Sequence, residues 1–243
     1  MRFSLKNLPI LLSREELSLL PDGKLLINTI NAHSYNTALC DPLFAEALIK
    51  GDVLIPDGAS IVMACRWLKA KSQPQERVAG WDLFQYEMQM LNKKGGGRCF
   101  FMGSSESVLN KIRERAKYEF HNIEIFTYSP PYKPEFSEVD NQAIIDAINE
   151  VNPDLLWIGL TAPKQEKWAY TNWGRLNINC HTGTIGAVFD FYAGTIDRAP
   201  LWWQEHSLEW LYRLIKEPRR MWRRYIIGNT LFILNVIKEN FNN

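Results

Sequence analysis

The sequence contains no Gly-x-Gly-x-x-Gly and no Gly-x-x-x-x-Gly-Lys, which removes support from nicotinamide-dependent oxidoreductases and P-loop phosphotransferases. It has no Asp-x-Asp pair of the kind that holds a divalent metal against a nucleotide sugar, so any phosphate chemistry must draw on Arg, Lys or backbone donors. Cysteine is sparse. Cys40, Cys65, Cys99 and Cys180 form no Cys-x-x-Cys pair and read as ordinary buried thiols of a reducing compartment. His33, His121, His181 and His206 share no metal-ligand spacing, so neither a metal nor a cofactor is expected. The longest apolar stretch near the C-terminus, 231–237, is interrupted by Asn235 and falls far short of the ~20 residues that cross a bilayer. Met1 to Ser4 leads into a mixed segment rather than a basic start and a long apolar run. That predicts a cytoplasmic protein, at most peripheral at the inner face of the membrane.

Charge is nearly balanced but unevenly placed. Residues 213–243 hold seven Lys and Arg against two acids, which leaves a body with 21 bases and 25 acids. On a helix advancing about 100° per residue, Arg219, Arg220, Arg223 and Arg224 gather on one side. Met221, Trp222, Tyr225 and Ile226 gather on the other. Such a helix suits an anionic membrane surface, where rings enter the headgroup boundary and each nearby base adds about 1 kcal/mol. It equally suits a solvated face on a helix whose rings enter the core. The acidic body argues against an extended nucleic-acid track, so no nucleic-acid partner is expected.

Short apolar runs alternate with amphipathic stretches, the pattern of a parallel sheet flanked by helices. Strands are predicted over 24–29, 52–55, 99–102, 123–128, 155–159 and 178–182, and helices over 59–69, 81–91, 106–119, 139–151 and 164–173. The alternation stops near 194–200, after which only helical patterns follow. The predicted fold is therefore α/β: a Rossmann-like domain over 1–195 with a helical appendage over 196–243.

Ligands of open α/β sheets bind beyond the carboxyl ends of the strands, and small polar groups converge at four such ends. These are Thr29-Ile30-Asn31, Pro56-Asp57-Gly58, Gly103-Ser104-Ser105 and the run from Thr161 through Gln165 to Glu166. Asp57 has two readings, as a helix cap in a tight turn or as a general base. Gly103-Ser104 could set backbone N–H groups against a phosphate or simply begin a helix. Arg77 and Asp82 flank Gly80 at a helix start, where Arg77 faces an anion or pairs at the surface. Asp190, between Phe189 and Phe191, either braces the fold or binds a ligand.

Taken in order, the segments at 27–34, 55–62, 77–84, 100–104, 158–168 and 183–220 resemble the WecG/TagA/CpsF family of bacterial glycosyltransferases. The resemblance spans most of the chain. It implies an inverting, metal-independent transfer of a sugar from a UDP-sugar donor to a polyprenyl-diphosphate-linked acceptor at the cytoplasmic membrane surface, in cell-surface polysaccharide synthesis. Asp57 would then deprotonate the acceptor hydroxyl. Thr29 and Asn31 would position the sugars, and Gln165 would line the pocket. Arg77, Gly80, Asp82, Gly103, Ser104, Glu166, Asp190 and Arg198 fall inside the matching stretches and are carried as substrate-binding candidates. Arg213, Arg220 and Arg223 would face the leaving diphosphate, and Arg219 and Arg224 the lipid. Similar proteins form oligomers, which leaves a homo-oligomer open here. A non-catalytic, membrane-peripheral nucleotide-binding protein is the alternative; it would bind UDP without releasing it from a donor.

Overall fold

The computed structural model describes residues 3–241, except for the side chain of Arg220. Six strands, β1 (Leu25–Ile30), β2 (Val53–Pro56), β3 (Gly97–Gly103), β4 (Ile123–Tyr128), β5 (Leu155–Gly159) and β6 (His181–Thr184), form one parallel sheet in the order β2-β1-β6-β5-β3-β4. The connections carry α1 (Ala32–Ala38), α2 (Pro42–Lys50), α3 (Ala59–Trp67), α4 (Gly80–Lys93), α5 (Glu106–Glu119), α6 (Glu138–Val151) and α7 (Lys164–Asn172), with α8 (Val188–Ala193) following β6. The architecture is α/β and Rossmann-like.

A parallel sheet must be covered on both faces, and the alternation along its strands shows how. Phe101 and Trp157 point into one layer with Leu83 and Phe84 of α4, Ile112 of α5 and Phe189 of α8. Their neighbours Phe100, Met102, Leu156 and Ile158 point the other way, toward Ile144 and Ile148 of α6 and Trp168 of α7. On that second face α1, α2 and α3 continue the layer over β1 and β2 through Tyr35, Phe44 and Ile61.

Each of the six expected strands is present, but the last is displaced. The sequence pattern puts it at 178–182, whereas β6 runs His181–Thr184, because Ile178 and Cys180 are buried beneath the sheet and the strand itself is His-Thr-Gly-Thr. A central strand crossed by the Trp157 ring has room only for small residues: a Cβ on Gly183 would collide with that ring. One cysteine also departs from expectation. Cys40 is exposed in the turn between α1 and α2, while Cys65, Cys99 and Cys180 are buried.

Beyond Pro200 the chain forms α9 (Leu201–Glu205), α10 (Glu209–Lys216), α11 (Pro218–Trp222), a π turn (Arg223–Ile227) and α12 (Gly228–Phe241). The final helix returns to the body. Phe232 and Val236 are buried among Phe3, Leu5, Leu8 and Tyr35, with Phe232 edge-on to Tyr35 at 5.4 Å between centroids. Glu239 fastens it: Oε1 accepts from Ser4 Oγ at 2.7 Å and from the Lys6 N–H at 3.0 Å, and Oε2 accepts from Tyr35 Oη at 2.6 Å. Residues 201–227 are therefore a strap held at both ends. Glu239→Ala removes three hydrogen bonds and is expected to cost about 2–4 kcal/mol, lowering Tm by roughly 5–12 °C. A melt unchanged within 2 °C would show that Phe232 and Val236 suffice.

No helix among the described residues is long and apolar enough to cross a membrane. The outer face of α12 is nevertheless apolar. Leu231, Ile233, Leu234, Ile237 and Phe241 are all exposed, as are Trp202, Trp210, Trp222 and Ile226 in the strap.

Candidate active site

Between β3 and β5 the connections leave the sheet in opposite directions, β3 toward β4 and β5 toward β6, which opens a crevice at the carboxyl ends. Gly103 closes β3 beside Gly159 at φ +121°, and a Cβ there would lie 2.6 Å from the Gly159 carbonyl oxygen. Only glycine fits. Ser104 follows in the left-handed region at φ 63°, and Ser105, not Ser104, caps α5 by accepting from the Val108 N–H.

Asp57 follows β2. Its carboxylate does not cap α3, whose N-cap is Gly58 with no side-chain bond; Oδ1 instead meets Arg77 Nη2 at 3.3 Å. The same Nη2 donates to Glu209 Oε2 of α10 at 3.0 Å, and Arg198 Nε stands 3.7 Å from Glu209 Oε1. The surface-pair reading of Arg77 with Asp82 therefore fails. Asp82 belongs to the start of α4, where it accepts from the Ala79 N–H at 2.8 Å and pairs with Arg14 at 3.4 Å. Burial pushes the Asp57 carboxyl above its usual range; Arg77 opposes this, and the charges of Glu209 and Asp82 reinforce it. The side chain is still 28% exposed and thus within reach of an incoming group.

Around this carboxylate the strand ends converge. Asn31 Cβ lies next to Gly58, and Asn31 Oδ1 caps α1 by accepting from the Ser34 N–H at 3.1 Å. Thr29 packs its methyl beside Gly80, which also touches Ile185. Gly186, at φ +43°, adjoins Gln165 Oε1 and the Leu160 carbonyl. Gln165 and Glu166 open α7 and are buried side by side, Gln165 Nε2 donating to Glu166 Oε1 at 2.8 Å. Their other oxygens, Gln165 Oε1 and Glu166 Oε2, have no hydrogen-bond partner among the described residues. Asp190 stands apart, its Oδ1 accepting from Thr195 Oγ1 at 3.2 Å.

Burial lifts the Glu166 carboxyl to about 7 from its ordinary 4.5. The folded protein then holds this proton more tightly than the unfolded chain. The stabilisation is complete below pH 4.5 and is lost as pH rises through about 7. Glu166→Gln is accordingly expected to melt higher than the wild type at pH 8, by on the order of 2–3 kcal/mol, with the gap closing near pH 4.5. Thermal melts at the two pH values check it, and an equal gap at both would assign the effect to packing.

The strap brings its own cations. Arg213 lies one turn beyond Glu209 on the same face of α10, its guanidinium 5.6 Å above the Phe191 ring and its Nε without a hydrogen-bond partner among the described residues. Arg219 and Arg223 are exposed, Arg223 beside the Trp222 ring, and the Arg220 side chain lies outside the described residues. Arg224 is turned inward. It is half-buried and, together with burial, holds the His33 imidazole on α1 below its ordinary value. A uniform 100° wheel groups Arg224 with Arg219 and Arg223; the break at Glu217-Pro218 and the π turn over Arg223–Ile227 interrupt that rotation. Sequence reasoning missed Glu209. It sits within the family-like stretch Glu209-Trp210-Leu211-Tyr212-Arg213, but nothing in the pattern identifies Arg77 as its partner.

Residues 12–243 match the sequence profile of the Glycosyl transferase WecG/TagA/CpsF family. The chain is 32% identical over 217 residues to the N-acetylglucosaminyldiphosphoundecaprenol N-acetyl-beta-D-mannosaminyltransferase of Bacillus subtilis (strain 168), covering 89% of this chain and 80% of that protein. It is also 32% identical over 201 residues to the protein of the same description from Bacillus spizizenii, covering 82% and 74%.

Proposed function

Since the chain belongs to the WecG/TagA/CpsF family of glycosyl transferases, we propose that it moves an N-acetylhexosamine-type sugar from a UDP-sugar to a polyprenyl-diphosphate-linked saccharide in cell-envelope polymer synthesis. The Bacillus relatives, by their names, add N-acetylmannosamine to N-acetylglucosaminyl-diphosphoundecaprenol, which makes that pair the first donor sugar and acceptor to try.

The reading rests on one observation above the rest: a partly exposed carboxylate, Asp57, at the carboxyl edge of the sheet, with Thr29 and Asn31 on the neighbouring strand end. In the proposed step the acceptor hydroxyl attacks the anomeric carbon as Asp57 removes its proton. The bond between that carbon and the diphosphate oxygen breaks, UDP leaves with the electron pair, and configuration inverts. Negative charge grows on the departing phosphate, and donors fixed there beforehand lower the barrier most. Arg213 suits that task, half-buried and with a buried Nε that has no hydrogen-bond partner among the described residues. Arg224, turned toward α1, is the second candidate, and Arg219 and Arg223 are left free for anionic headgroups. Gln165 and Glu166 lie buried at the start of α7, each with one oxygen unpartnered among the described residues, and would meet sugar hydroxyls or an acetamido N–H only if the donor reaches that layer.

A lipid-linked acceptor also accounts for the exposed outer face of α12 and the tryptophans of the strap, which suit immersion in the headgroup boundary. Mass analysis of products from a panel of UDP-sugars with a short-chain polyprenyl-diphosphate N-acetylglucosamine acceptor tests the reaction. Release of UDP with a one-sugar gain on the lipid is expected. Binding of UDP with no transfer from any donor would instead support a nucleotide-binding protein.

A further inference from the structure

The contact between the strap and the body runs through a charged chain, not through apolar packing alone. Arg77 holds two carboxylates with one nitrogen, Glu209 at 3.0 Å and Asp57 at 3.3 Å. Neither pairing is the two-pronged arrangement that arginine adopts with a free carboxylate. Glu209 is fixed from its other side by Arg198, whose guanidinium in turn lies 5.2 Å above the Trp81 ring. With its side chain only 12% exposed, Glu209 is less solvated than either Arg77 or Asp57.

We propose that Glu209 is a positioning residue for sugar transfer: docked through α10, it shares the Arg77 guanidinium with Asp57 and so weakens that pair, leaving the carboxylate a strong enough base to take the acceptor proton only while the strap lies over the site. The inference rests on the glycosyltransferase reading and adds to it a coupling between strap closure and base strength.

The reasoning is electrostatic. With the strap away, Arg77 has one carboxylate left to bind, and a full pair with Asp57 would make it a weak base. With the strap docked, the second carboxylate both shares Arg77 and adds a like charge nearby. Asp57 then keeps more affinity for a proton, in line with the upward displacement that burial, Glu209 and Asp82 produce against Arg77. The charged groups acting on Asp57 are Arg77 and Asp82 around the start of α4, Arg198 ahead of α9, and Glu209 of α10. Glu209 is the one among them that arrives with α10.

The test uses the full-length protein, with UDP-N-acetylmannosamine and short-chain polyprenyl-diphosphate N-acetylglucosamine as probes. Profiles of kcat/KM against pH are compared for wild type, Glu209→Gln, Glu209→Ala and Glu209→Asp, beside a 13C titration of the Asp57 carboxyl in the substrate-free protein. Glu209→Gln keeps an acceptor for Arg77 but removes the charge. Its plateau is expected to fall about tenfold, as for a weakened base, with the acidic limb and the carboxyl titration both moving to lower pH. Glu209→Ala should lose more, and Glu209→Asp should recover most of the rate. Lost activity with the limb and the titration unmoved would reduce Glu209 to a structural brace and overturn the proposal. A rise in rate or donor affinity would overturn it too, by making Glu209 a block. Failure of the glycosyltransferase reading appears separately, as absence of transfer by the wild type, and the carboxyl titration still decides whether Glu209 tunes Asp57.

Discussion

Asp57→Asn is expected to lower sugar transfer by about 10³-fold, the scale of a lost general base, while leaving UDP binding within about twofold of wild type. The substitution keeps the size of the side chain and an oxygen for Arg77, so the fold at the end of β2 should survive. Arg77 also retains Glu209. Transfer assays with calorimetric measurement of UDP affinity separate the two effects. The strongest competitor for the role is Glu166, whose displaced carboxyl suits proton transfer near neutrality. Geometry disfavours it, since Glu166 is 1% exposed and its Oε1 is occupied by Gln165. Transfer within tenfold of wild type in Asp57→Asn, together with loss in Glu166→Gln, would move the base to Glu166.

The second large effect concerns the exposed apolar face of α12 and the strap, for which a lipid surface is proposed. Polar replacement of Ile226, Ile233, Leu234 and Ile237 by Ser is expected to weaken binding to anionic phosphatidylglycerol vesicles by about 10³-fold, because each immersed aliphatic chain contributes on the order of 1 kcal/mol. All four are exposed, so Tm should change by less than about 3 °C. Sedimentation with vesicles and a thermal melt are sufficient, and undiminished binding would place the contact elsewhere. Deleting 196–243 is a poorer test of the same idea. It would uncover the site of Phe232 and Val236 and remove the bonds to Glu239, at a cost of about 5 kcal/mol or more. Lost transfer in that truncation would report a damaged body as readily as a missing anchor.

Much of this was legible in the sequence because it rests on local rules. Strand positions follow from apolar runs, and the polar residues that end β1, β2, β3 and β5 mark the carboxyl edge without any coordinates. The helices α1 and α2 were missed although their start signals are present: Asn31 and Asp41 cap them, and Pro42 occupies the first turn of α2. The displaced β6 shows the limit of apolarity as a guide where a central strand must yield space to Trp157. Partner choice was the least legible. Whether Arg77 pairs with Asp82 five residues away or with Glu209 far along the chain depends on how α10 returns over the sheet, and no local spacing encodes that. The inward turn of Arg224 likewise follows from a π turn whose residues, Arg-Arg-Tyr-Ile-Ile, would continue an ordinary helix equally well.

The bonds from Ser4 and Lys6 to Glu239 join residues 235 and 233 positions apart. During synthesis, residues 3–8 therefore leave the ribosome long before α12, the element that completes their packing. The strand pairing of the sheet can form in the interval, since it needs nothing beyond β6, although the layer over β1 and β2 is completed only by Phe232 and Val236. The oily strap and α12 leave the ribosome afterwards and dock on a sheet already paired. Production order thus keeps this exposed apolar surface off a wholly unpaired chain, where it would invite aggregation.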